Sequence, residues 1–129
     1  MSQRQAKPLP RAQRIELEFL EGVYRRIPTY EPLLDFLGFL YTKLGRYEDG
    51  LRIDLELTRL RPGVPYHWYN LGCSHALLGD RTAALTALKR AVETGFGNGD
   101  LMKKDADLAS LRGDPEFQEL LARVESAHL

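Results

Sequence analysis

The chain has 129 residues, 43% of them apolar and 28% charged, and its 18 basic side chains balance 18 acidic ones. That composition argues against a chain that is wholly a disordered tail or a fibre, and a neutral chain gives no global electrostatic case for nucleic acid or an anionic membrane as a partner. A lone cysteine, Cys73, excludes an intramolecular disulfide and suits a reducing compartment, so a cytoplasmic protein is expected.

No stretch reaches the roughly 20 apolar residues that cross a bilayer. The basic start, MSQRQAKPLPRAQR, is not followed by the apolar segment of a signal peptide. Residues 1–10, with two prolines and many polar groups, read as a flexible tail. The rest, 11–129, reads as a single domain. Residues 11–26 predict a helix with apolar positions at 12, 15, 19, 20, 23, 24 and 27, and residues 11–30 serve as a cap.

Residues 31–64 and 65–98 then repeat one another at an offset of 34 residues. Leu37-Gly38 falls on Leu71-Gly72, and Leu44-Gly45 falls on Leu78-Gly79. Each unit predicts two helices, 32–44 with 47–60 and 65–78 with 81–94. Gly45-Arg46 and Gly79-Asp80 form the turns between them, where glycine takes a positive φ cheaply. Gly38 and Gly72 stand mid-helix, where glycine costs about 1 kcal/mol against alanine, so another helix is expected to approach too closely for a Cβ. Ala84 and Ala91 fit the same close approach.

Residues 99–129 read as a partial unit with a closing cap. A shortened helix is predicted at 99–104, then an irregular stretch anchored by Leu108 and Leu111. Asp114-Pro115 gives a capping side chain followed by proline at the first helical position. The last helix, 115–127, carries Phe117, Leu120, Leu121 and Val124 on one face. Gly95, Gly97 and Gly99 make the preceding link turn-like, with Phe96 packing back. No sustained alternation signals a strand.

The second unit, with Trp68, Leu71, Gly72, Gly79, Ala84 and Ala91, resembles a tetratricopeptide repeat, a helix-turn-helix unit of 34 residues. The first unit matches at Leu37, Gly38, Tyr41, Leu44, Gly45 and Pro62. It departs at Asp54, which falls where an aromatic is usual and should be paired or turned to solvent. The stretch from Asp105 to Val124 resembles the D-P-x-F-type ending of short bacterial members. The resemblance implies an all-α fold, a right-handed α-solenoid of antiparallel helix pairs with about seven helices. It also implies a non-catalytic protein- or peptide-binding module or scaffold rather than an enzyme.

Stacked helix pairs curve into a concave surface. By resemblance, the groove is lined by Phe36, Phe39, Lys43, Tyr66, Tyr69, Asn70, Cys73, Leu77 and Lys104, with Asp35 and Asp100 among its charged members. Phe36 and Phe39 either line it or pack on the first cap. Asn70 either holds a ligand backbone or makes a local bond. The lysines and asparagines with which some relatives grip a C-terminal carboxylate are only partly present, since Asp35, Phe39 and Asp100 replace three of them. An internal, mostly apolar segment of a protein partner is therefore the expected ligand. The alternative is a homo-oligomeric assembly factor whose aromatic residues bury against a second copy.

No cofactor or metal is expected. Cys73 and His75, two apart on a helix, do not share a face. His67 lies too far from Cys73 for Cys–His catalysis. The GFGNG run at 95–99 follows a helix and lacks the phosphate-binding ending. Asp105, Asp107 and Asp114 lack the calcium-loop spacing with its closing Glu and read as turn and cap residues.

Overall fold

Caps and turns set the helix boundaries in the computed structural model, which describes residues 8–127. The helices are α1 (Arg11–Arg26), α2 (Glu31–Lys43), α3 (Tyr47–Leu60), α4 (Pro65–Leu77), α5 (Arg81–Glu93), α6 (Gly99–Lys104) and α7 (Pro115–Ser126), with a 3₁₀ helix (Ala106–Leu111) before the last. Among the described residues there is no strand, and the protein is all-α. Residues 1–7 of the expected flexible tail, and residues 128 and 129, lie outside the described residues.

Proline stands in the first turn of α2, α4 and α7, where its missing N–H has no partner to lose. Asp80, Asn98 and Asp114 each accept a hydrogen bond from a backbone N–H of the helix they precede. Asp105 does the same for the 3₁₀ helix, so Asp105 and Asp114 have the capping roles expected of them. At the other ends Gly45, Gly79 and Gly95 have φ of 77°, 81° and 115°. The N–H after each glycine reaches back five residues: Arg46 to the Tyr41 carbonyl, Asp80 to His75 and Phe96 to Ala91, each at 2.9 Å. This closure satisfies carbonyls that the helix end leaves bare.

Consecutive helices from α2 to α5 pack against one another, α4 also meets the 3₁₀ helix, and α7 lies against α5 and α6. A Cβ at Gly72 would stand 2.8 Å from Leu88 of α5, and one at Gly38 would stand 3.3 Å from Asp54 and Ile53 of α3. Both mid-helix glycines therefore mark close helix approaches, as their spacing predicts. Ala84 and Ala91 are fully buried.

The apolar interior falls into two clusters. Leu17, Leu33, Leu34, Leu37, Tyr41, Ile53 and Leu57 form one. The other is built on α4, α5 and the C-terminal helices, with Leu88, Phe96, Met102, Leu108, Leu111 and Phe117 at its centre. Both segments expected to anchor the C-terminal end therefore point inward. On α1 the sequence-read stripe needs correction. Leu17 is the buried residue, supported by Leu20, Val23 and Tyr24. Ile15, Phe19 and Ile27 are exposed at 53%, 69% and 52%. The helix carries two apolar stripes, and periodicity alone does not say which one faces the core.

Candidate functional site

A cavity of about 150 Å³ opens where α2, α3, α4 and the 3₁₀ helix meet. Asp35, Gly38, Phe39 and Thr42 reach it from α2, and Asp54 and Leu57 from α3. Asn70, Cys73 and Ser74 reach it from α4, and Asp107 from the 3₁₀ helix. The volume is close to that of a cavity that takes a benzene-sized group.

Asp54 forms part of the floor and is 5% exposed. Its Oδ2 accepts a hydrogen bond from the Ser74 hydroxyl at 2.5 Å, across the junction of the two repeated units. Burial pushes its carboxyl from 3.8 up to about 7, the Ser74 bond opposes that rise, and the Asp35 charge adds to it. Asp107 is raised too, by burial and then by Asp105. The Cys73 thiol is pushed far up, chiefly by burial and then by Asp105, which favours its protonated form.

The residues expected to line a groove divide into two sets. Phe36, Phe39 and Tyr66 are exposed at 47%, 62% and 46%, and Asn70, Lys43 and Lys104 are exposed as well. Lys43 holds its ammonium 5.6 Å from the centre of the Phe39 ring. Leu77 is half-buried. Of this set, Phe39 and Asn70 border the cavity.

Tyr69 is the correction. Its ring stacks on Phe96 at 4.4 Å inside the C-terminal cluster, and its hydroxyl donates to Asp105 at 2.7 Å. A ligand does not reach that ring. The half-buried Trp68 spends its indole N–H on the Pro62 carbonyl and lies under the Arg90 guanidinium, so Tyr69 takes the inward position. Cys73 is also buried, although it borders the cavity, and its thiol faces Asp105.

Cys73, Asp105 and Asp107 bring potential metal-ligating atoms within 4.8 Å of one another. Asp105 is already committed: it accepts from Tyr69 and Cys73 at one oxygen and from the Asp107 N–H at the other. The buried Asp54–Ser74 pair and the convergence of Asp35 and Asp107 on it are not visible from motifs. The available signal was Asp54 itself, a carboxylate standing where the second unit has Leu88.

No family model matches the chain, and no solved structure matches it. It is similar to a chloroplastic protein of Arabidopsis thaliana, 26% identical over 95 residues. The match covers 71% of this chain and 28% of that protein, so the chain spans under a third of the relative's length. Among the described residues no helix is long and apolar enough to cross a membrane.

Proposed function

We propose that the chain is a short solenoid of the tetratricopeptide type, a non-catalytic module or scaffold that holds an extended segment of a protein partner along α2 and α4. The observation that carries this reading is the exposure of Phe36, Phe39 and Tyr66 on the first helices of the two repeated units, beside the exposed amide of Asn70. Rigid aromatic rings give large contact area at low entropy cost. An amide supplies both the donor and the acceptor that a peptide backbone needs. Phe39 and Asn70 come from different units and border one cavity, which gives the contact a centre.

Selection of a displayed random-peptide library on the full chain tests this reading. Enriched peptides should lose affinity by about tenfold or more, about 1.4 kcal/mol, against the Phe39→Ala/Asn70→Ala variant. Both side chains are exposed, so the variant should keep the wild-type melting curve. Peptides that bind the variant as tightly as the wild type would refute the groove.

A second reading rests on Ile15 and Phe19, which leave an apolar stripe on the outer side of α1. A second copy of the chain would cover it, making a weak homo-oligomer.

A further inference from the structure

Among the described residues, Arg46 and Arg52 pair with Asp49, Arg59 with Glu56, Arg61 with Glu31, Arg81 with Asp114 and Glu116, and Lys103 with Glu125. The cavity between the two units breaks this pattern. Asp35, Asp54 and Asp107 converge on it from three elements, and no lysine, arginine or histidine lines it. Ser74 satisfies one oxygen of the buried Asp54, and no donor among the described residues reaches the other.

The chain's own repeat shows what this arrangement replaces. In the second unit the corresponding pair is Gly72 and Leu88, and Leu88 fills the space above its glycine. In the first unit Asp54 stands in place of that leucine, its Oδ1 lying over Gly38 at 3.3 Å from where a Cβ would sit, and the cavity opens beside this contact. A buried carboxylate without a counter-charge is costly, so the fold bears a penalty that a bound cation would relieve.

We propose that this cavity is the specificity pocket of the groove and receives the cationic end of a lysine or arginine side chain from the bound segment. The proposal rests on the groove reading above and names what the groove selects. Asp54 supplies charge at the floor, the less buried Asp107 and the exposed Asp35 supply it nearer solvent, and the Asn70 carbonyl oxygen accepts a further N–H. The Phe39 ring at the rim, which already carries the Lys43 ammonium, offers apolar surface to the methylene stem. A metal ion is the weaker occupant, because Asp105 is committed to Tyr69, Cys73 and the Asp107 N–H, and the Cys73 thiol holds its proton.

The groups facing Asp54 are Asp35 from α2, Cys73 and Ser74 from α4 and Asp107 from the 3₁₀ helix. All of these are acidic or neutral, and the nearby cation, Lys43, sits outside the lining on the Phe39 ring, so cation binding favours the ionised Asp54 and releases a proton. Affinity for a cation should therefore rise by roughly tenfold between about pH 6 and pH 8.

The test is a titration of the ¹⁵N-labelled full chain, followed by NMR, with n-butylguanidinium, n-butylammonium and uncharged n-butanol. One or both cations should shift the amides of Gly38, Asn70 and Ser74 saturably, and the stronger cation tells arginine from lysine. Asp54→Asn and Asp35→Asn should each weaken that binding by about fivefold or more. Folding of the variants is checked by their melting curves. Equal response to butanol, no saturable shift with either cation, or unchanged binding by Asp54→Asn would overturn the proposal.

The peptides selected on the groove separate this proposal from the reading beneath it. They should carry a lysine or arginine whose replacement by glutamine weakens binding. If they depend on Phe39 and Asn70 but contain no cation, the pocket falls and the groove stands. If the small cations saturate the pocket but no selected peptide depends on Phe39, the groove falls, and with it the assignment of the pocket to a bound segment.

Discussion

A carboxyl that keeps its proton to about pH 7 in the folded chain, against 3.8 ordinarily, makes stability fall as pH rises between those values. The folded state then binds more protons than the unfolded state, so deprotonation favours unfolding. For Asp54 the full span corresponds to roughly 4 kcal/mol, present below the lower value and lost above the upper one. Asp54→Asn keeps the shape, accepts the Ser74 hydroxyl and cannot ionise. It should stabilise the chain by roughly 1–3 kcal/mol at pH 8, because part of the gain is offset by a weaker bond to Ser74. The gain should vanish near pH 4. Asp35, Asp107 and Cys73 remain around the site, so a smaller slope from Asp107 persists in the variant. Urea unfolding followed by circular dichroism at pH 4, 6 and 8 measures this. A variant less stable than wild type at pH 8 would show that Asp54 contributes as a paired anion instead.

At the scale of helices, the two mid-helix glycines show how far the sequence could be read. Gly38 and Gly72 recur in step with leucine, and both prove to be close approaches. The turns at Gly45 and Gly79, and the caps at Asp80 and Asp114, were equally legible, because each depends on a few neighbouring residues. Tyr69 and the outer stripe of α1 were not. Choosing between Trp68 and Tyr69, or between Leu17 and Phe19, depends on how a helix is rotated against its neighbours, and local pattern leaves that open. The cavity was legible only as an anomaly at Asp54, since its other walls come from α2, α4 and the 3₁₀ helix. Glycine substitution tests the close approach directly. At Gly72, alanine would gain about 1 kcal/mol of helix propensity but press on Leu88, which is 1% exposed and has nowhere to move. Overpacking typically costs about 1–3 kcal/mol, so Gly72→Ala should be net destabilising. Gly63, where an added Cβ would meet nothing within 4 Å, serves as the control. Gly63→Ala should leave the unfolding free energy from urea titration within about 0.5 kcal/mol of wild type. A Gly72→Ala chain as stable as the Gly63→Ala one would remove the packing explanation for the repeated glycine.

Across the whole molecule, polar groups mark the junction between the two apolar clusters. Asp54 and Ser74 meet there, and Thr58 turns its hydroxyl back to the Leu55 carbonyl. The proposed ligand would bridge this junction, touching α2 and α3 of one unit and α4 of the next. The second apolar surface lies elsewhere, on the side of α1 opposite Leu17, so self-association and ligand binding need not compete. Ile15 and Phe19 are both more than half exposed, and a contiguous apolar stripe on the first helix invites a second copy. The second reading therefore predicts an average mass that rises with concentration in sedimentation or light scattering. Ile15→Ser/Phe19→Ser should abolish the rise and leave the melting curve near that of wild type, since neither side chain belongs to the core. Its response to n-butylguanidinium should match the wild type, because the cavity is built from other helices. A strictly monomeric wild type across the concentration series would eliminate self-association, and a variant that still associates would move the contact away from α1.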